Sequence, residues 1–412
     1  MAKNIVICLD GTGNEIEENI SNVLKLYRSL RKNHAQRTYY SQGVGTLVRV
    51  RVWSRVRQAL VDKLLGKMTG FGLDDRVVDA YGFIVEHYEP GDRIYIFGYS
   101  RGAYTARVLA GMIHAVGLLR PDQGNLVGAA YAAYLSEPGY ADMPSRENAN
   151  SVRFSVRDVE KEESKARTFR RVVQPRTVPV HFLGLFDTVG SVFAPSFGKK
   201  TLRPFTKDAY PHTFLNPSVR QVLHAVSIDE RRQMFPVSLW PNEQVFQSNP
   251  YDPDPVAQSL EEVWFAGGHG DIGGGNPRPD SGLSQIPLIW MARNARRSGL
   301  KLHDRTFRYV SGQQPYSSTT RYLYPAPDPA AKLHRASWWQ WFYFEIDLFR
   351  SRKVKRTAKD RRFWHFPLFQ ARPIPEGVSL HGSVVERMSL LESYRPPNLP
   401  KDYTVVETPD AP

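Results

Sequence analysis

Gly98-Tyr99-Ser100-Arg101-Gly102 has the form Gly-x-Ser-x-Gly, and it lies between the apolar run Arg93–Phe97 and the helix-forming stretch Ala103–Val116. A serine on such a strand-to-helix turn is a nucleophile elbow. Its neighbours must be small, its hydroxyl is lifted above the sheet, and the next backbone N–H, here that of Arg101, faces a developing oxyanion. Ser100 is therefore the expected nucleophile of a serine hydrolase. A serine hydroxyl needs a general base, and the base needs an orienting carboxylate. In an α/β-hydrolase the chain order is Ser, then Asp or Glu, then His, and these residues close the C-terminal ends of strands. Asp187 closes the run Val178–Phe186 and His269 follows the run Glu262–Ala266, so they are the expected acid and base. His381 is a rival base, because it lies late in the chain, and Asp271 and Asp229 are rival acids. His224 reads as a packed or supporting residue, and His114 as structural.

Asp10-Gly11-Thr12-Gly13-Asn14 follows the apolar run Asn4–Leu9. An early strand-end loop supplies the second oxyanion donor in this fold, so the N–H groups of Gly11 and Thr12 are candidates, with Asp10 supporting them. A plain turn, or an Asn14 helix cap, would use the same residues. An aspartyl-phosphate phosphatase would need a carboxylate where Cys8 stands, and that nucleophile is missing. Gly273-Gly274-Gly275 lacks the Lys-Ser/Thr of a phosphate loop, and a tight backbone beside the histidine is the better reading. No His-Glu-x-x-His or paired ligand spacing appears, so no metal and no organic cofactor are expected.

These residues need strands and helices to position them. Asn4–Leu9, Thr38–Ser41, Arg93–Phe97, Val178–Phe186 and Glu262–Ala266 read as strands. Ser21–Leu30, Leu73–Tyr88, Ala103–Val116, Val219–Ala225 and Ile286–Ser298 read as helices, the first capped by Ser21. The alternation predicts an α/β fold of α/β-hydrolase type: a mainly parallel sheet flanked by helices, with an insertion and an aromatic and basic C-terminal extension. The expected organisation is a catalytic domain over 1–300, an insertion or lid over 122–176, and an extension over 301–412 packed on the catalytic domain.

The chain has 412 residues, a formal net charge of +14 and one cysteine, Cys8, which excludes an internal disulfide framework. Residues 332–372 mix Trp338, Trp339 and Trp341 with a basic run from Arg350 to Arg362. Three readings stay open there: peripheral contact with a membrane, stacking on nucleic acid, and an ordinary helix with its basic face in water. No leader peptide or spanning segment is evident, which predicts a chain made in the cytoplasm.

Five motifs in order carry a family pattern: Asp10–Asn14, Gly98–Ala103, Phe186–Gly190, His224–Arg231 and His269–Gly275. Together they resemble the catalytic domain of the first family of type VI secretion lipase effectors, over roughly residues 3–300. The resemblance implies a phospholipase-like serine hydrolase with its triad on Ser100, Asp187 and His269, a lipid or ester substrate, no nucleic acid, and an immunity or secretion partner. It also implies leaderless export by type VI secretion. A hydrolase of small esters or amides, and a non-catalytic membrane- or partner-binding protein, are the alternatives.

Overall fold

A computed structural model describes residues 2–11, 19–43, 73–137, 164–190, 193–194, 206–207, 210–232, 235–249, 254–317, 323–334 and 371–410. Eight strands form the main sheet: β1 (Asn4–Leu9), β2 (Gln36–Ser41), β3 (Arg93–Tyr99), β4 (Val180–Phe186), β5 (Gln221–Ser227), β6 (Ser259–Phe265), β7 (Val378–His381) and β8 (Tyr403–Val406). Their order is β8-β7-β6-β5-β4-β3-β1-β2, and every neighbouring pair is parallel. An all-parallel sheet must be covered on both faces, so its central strands carry apolar side chains on both.

β1 shows how this works. Ile5, Ile7 and Leu9 point into a cluster with α2 (Leu73–His87), α3 (Arg101–Val116) and α4 (Val127–Leu135). Val6 and Cys8 point the other way, against α1 (Asn22–Ser29) and residues further along the chain in α7 (Gly282–Arg297). Cys8 is a free, buried thiol whose ionisation is disfavoured first by burial and then by the nearby Asp10 carboxylate. Between these elements lie α5 (Lys165–Val173) and α6 (His269–Gly273). α8 (Asp304–Val310) and α9 (Gly382–Leu390) follow.

The segment Val219–Ala225, read as a helix, is strand β5 in the middle of the sheet, paired with β4 and β6. Its side chains are buried on both faces, and a short continuous apolar run has no periodicity that separates a buried strand from a helix. Residues 301–412, read as an extension packed on the catalytic domain, add β7 and β8 to the same sheet. Val226 and Trp264 pack there against Leu380, Val384 and Tyr394 in a third cluster.

The strand order reverses between β1 and β3: β1 is followed by β2 on one side, and β3 lies on the other. A crevice opens at the C-terminal ends of strands at such a switch point. The registers align those ends, pairing Leu9 with Gly98, Tyr99 with Phe186, Phe186 with Ala225 and Phe265 with Ser227. Asp10, Ser100, Asp187 and the loop to His269 therefore emerge along one edge.

A chain ending at residue 300 would leave β6 as a bare edge and uncover Trp264 and Val226. It is expected to bind the dye ANS and to lose cooperative unfolding by circular dichroism. A cooperative melt at the parent temperature would show that residues 1–300 fold alone.

Candidate active site

Ser100 joins β3 to α3 with φ 58° and ψ −123°, a region that non-glycine residues rarely occupy. Such a conformation costs on the order of 1–3 kcal/mol and persists only where its surroundings enforce it. The enforcement is visible. The Ser100 N–H donates to the Phe186 carbonyl at 3.0 Å. Gly102 lies so close to β1 that a Cβ there would stand 2.2 Å from the Leu9 carbonyl oxygen. The turn is clamped between two strand ends, and a side chain at position 102 would push it open.

The Ser100 hydroxyl donates to His269 Nε2 at 2.8 Å, and His269 Nδ1 donates to Asp187 Oδ2 at 2.5 Å. Ser100 and His269 are each 6% exposed, and Asp187 is fully buried. The His269 ring lies between Tyr99 and Phe235, with ring centres 4.8 and 5.1 Å away. Its backbone N–H donates to Glu230, whose carboxylate is paired with Arg232 at 2.8 Å. Burial alone would raise the Glu230 carboxyl, but Arg232 holds it below the ordinary range. Gly273 allows this packing, since a Cβ there would stand 1.8 Å from the Tyr99 ring.

Asp187 accepts four hydrogen bonds. Oδ1 accepts from Arg372 at 2.6 Å and from the Ser227 N–H at 3.0 Å, while Oδ2 accepts from His269 and, at 3.2 Å, from Arg372 again. Burial would push this carboxyl up. The Arg372 guanidinium and the His269 hydrogen bond outweigh it and hold Asp187 well below the usual carboxylate range. Arg372 itself is buried. Sequence reasoning missed it, since it stands at the end of the segment 332–372, apart from the basic run Arg350–Arg362. Nothing in the spacing points from this arginine to a carboxylate 185 positions earlier in the chain. Residues 335–370 of that segment lie outside the described residues. At its near end Lys332 and His334 are held by Asp280 and Asp271.

The other expected residues separate. His381 is not beside Ser100: its Nδ1 accepts from the Ser383 N–H, its Nε2 meets Thr408 Oγ1 at 2.8 Å, and its ring stacks on Phe265. The structure does not bring it within reach of the Ser100 hydroxyl, which is bonded to His269. Asp271 accepts from the Gly268 N–H, Asn276 and His334, and Asp229 accepts from the Gly267 N–H and Tyr394, so neither orients His269. His224 lies on β5, where Nε2 accepts from the Thr188 N–H at 3.2 Å and Nδ1 donates to Glu262 at 3.0 Å. It supports the backbone just after Asp187. His114 bonds Ser218 behind the sheet.

Gly11 lies against the Ser100 turn, where a side chain would meet Tyr99 and Ser100. Its N–H donates to Asp10 Oδ1 at 2.7 Å. Asp10 is the knot of the loop: its Oδ2 accepts from Ser21 and Tyr40, and its carbonyl from Arg76. Ser21 in turn caps α1 through the Leu24 N–H. Thr12 lies outside the described residues. Arg101 opens α3, whose N-terminal end carries partial positive charge. Among the described residues no cluster of three or more His, Cys, Asp or Glu side chains is placed to hold a metal, and no helix is long and apolar enough to cross a membrane.

Residues 3–294 match the family model described as "T6SS, Phospholipase effector Tle1-like, catalytic domain". The chain belongs to that family. The uncharacterized protein YEL023C of Saccharomyces cerevisiae is 38% identical over 240 residues, which cover 57% of this chain and 32% of that protein. An uncharacterized protein from Pseudomonas aeruginosa of known crystal structure is 20% identical with a TM-score of 0.38, over 74% of this chain and 47% of that one. The Tle1 effector solved bound to the VgrG spike of the Type 6 secretion system is 17% identical with a TM-score of 0.34, over 67% and 52% of the two chains. The chain thus spans about a third of the yeast relative and about half of each solved neighbour.

Burial lowers the His381 imidazole from 6.5 to about 4. Below pH 6.5 the unfolded chain takes up a proton that the folded one refuses, so stability falls from there to about pH 4 and then levels. The loss from this residue is up to about 3 kcal/mol. Urea unfolding at pH 7.5 and pH 5 is expected to show a smaller difference in His381→Asn than in the parent. Equal differences would contradict the assignment.

Proposed function

We propose that this protein is a serine hydrolase that cleaves a carboxylic ester bond of glycerophospholipids through Ser100, His269 and Asp187. The observation that carries the reading is the continuous hydrogen-bonded chain from the Ser100 hydroxyl through the imidazole to a buried, anionic carboxylate. The lipid class is drawn from the family description, which names a phospholipase effector.

The chemistry follows from the geometry. His269 Nε2 takes the Ser100 proton as Oγ bonds to the ester carbonyl carbon. Asp187 holds the ring in the tautomer that presents Nε2 as acceptor and stabilises the imidazolium that forms. The carbonyl oxygen gains negative charge beside the Arg101 N–H at the start of α3, the natural place for an oxyanion. Collapse of the adduct breaks the ester C–O bond, and His269 returns its proton to the departing lysophospholipid alcohol. Water, deprotonated by the same imidazole, then releases the fatty acid and restores the serine. The near-complete burial of Ser100 and His269 keeps bulk water from competing for these hydrogen bonds.

A fluorophosphonate probe is expected to label Ser100 in the folded parent and to leave Ser100→Ala unlabelled. On phosphatidylcholine vesicles and on a short-chain nitrophenyl ester, His269→Ala should lose at least about a thousandfold in kcat. His381→Asn should stay within about twofold of the parent. The opposite ranking of the two histidines would move the base to position 381. Turnover of the nitrophenyl ester with none of phospholipid would favour a small-ester hydrolase, and an unlabelled Ser100 would remove the enzymatic reading.

A further inference from the structure

We infer that Arg372 is a positioning residue of this centre: it fixes Asp187 in place and in charge, and through Asp187 sets how readily His269 takes a proton. The inference rests on the triad proposed above. It adds a member that lies outside the matched residues 3–294.

Arg372 grips both oxygens of Asp187, at 2.6 and 3.2 Å, and the same guanidinium donates to the carbonyls of Ser227 at 3.1 Å and Phe235 at 3.0 Å. The planar fork is therefore spread over one carboxylate and two backbone positions, a geometry a lysine ammonium cannot copy. Its own backbone is anchored as well. Asn398 donates to the Arg372 carbonyl at 2.8 Å and to the Ile228 carbonyl at 3.0 Å, tying residues 371–410 to the loop that follows β5. Phe235, whose carbonyl Arg372 holds, is one of the two rings enclosing His269. Arg372 thus reaches His269 by two routes, through the carboxylate and through the ring that confines the imidazole.

The electrostatic consequence has a definite sign. An anionic Asp187 favours the protonated imidazole, and the positive charge of Arg372 offsets part of that attraction. Among the described residues, the other charged and titratable groups packed around the pair are the Glu230–Arg232 pair at the His269 backbone, Tyr99 against its ring, and Asp271 on α6 with its partner His334. Asp10 lies across Ser100, and Arg107, His224 and Glu262 lie behind Thr188. All of these stay unchanged when Arg372 alone is replaced. Without its charge, the acid limb of the activity profile should move up.

The test compares the full-length parent with Arg372→Gln and Arg372→Lys on a soluble nitrophenyl ester, measuring kcat and KM from pH 5 to 9. For Arg372→Gln the expected result is an acid-limb midpoint raised by about one pH unit. A kcat at least about tenfold lower at the optimum and a KM within about twofold should accompany it. Arg372→Lys keeps the charge and loses the fork, so its midpoint should stay at the parental pH while kcat falls. An unshifted midpoint in Arg372→Gln, or parental kcat in Arg372→Lys, overturns the inference. If Arg372→Gln does not fold, Arg372→Lys decides by its own kcat. Fluorophosphonate labelling of parental Ser100 separates the two failures: a labelled serine with no change in these variants sinks Arg372 alone, whereas an unlabelled serine sinks the triad.

Discussion

A buried carboxylate governs this molecule. Leaving water costs an ionised group several kcal/mol even after the protein relaxes, and only close, well-aligned donors repay it. Asp187 is fully buried, and its donors come from three distant stretches: the Ser227 N–H at the end of β5, the His269 ring after β6, and Arg372 before β7. Each of those strands must be in register for the charge to be tolerated. The acid therefore makes the local chemistry and the global fold depend on each other.

The sheet order explains why Ser100 sits where it does. The reversal between β1 and β3 opens the crevice, the Asp10 knot lines one side of it, and the strained Ser100 turn lines the other. Gly102 lets the turn approach β1, and Gly273 lets α6 approach Tyr99. The positions that look most permissive in the sequence are those where the backbone has least room.

Much of this was legible before any coordinates. Gly-x-Ser-x-Gly has one economical structural use, and strand ends picked out Asp187 and His269 because a parallel sheet offers its C-terminal edge to solvent. The signals failed where local pattern and tertiary environment diverge. β5 is apolar on both faces, so its period carried no information. Gly11 has no side chain and a favourable place, yet Asp10 claims its N–H. His381 has the right chain position, but Ser383 and Thr408 occupy both of its nitrogens. Arg372 could not be found by spacing, since its partner lies 185 residues away in the chain.

That separation also sets an order in time. A ribosome adds roughly 5–20 residues per second. Asp187 is thus synthesised about ten to forty seconds before the arginine that neutralises it. During that interval the acid has no permanent counter-charge, and β6 has no outer neighbour in the sheet. The nascent chain must hold the carboxylate near water until the later strands arrive. The hydrogen-bonded centre of this Tle1-like chain is therefore complete only after the sheet is closed.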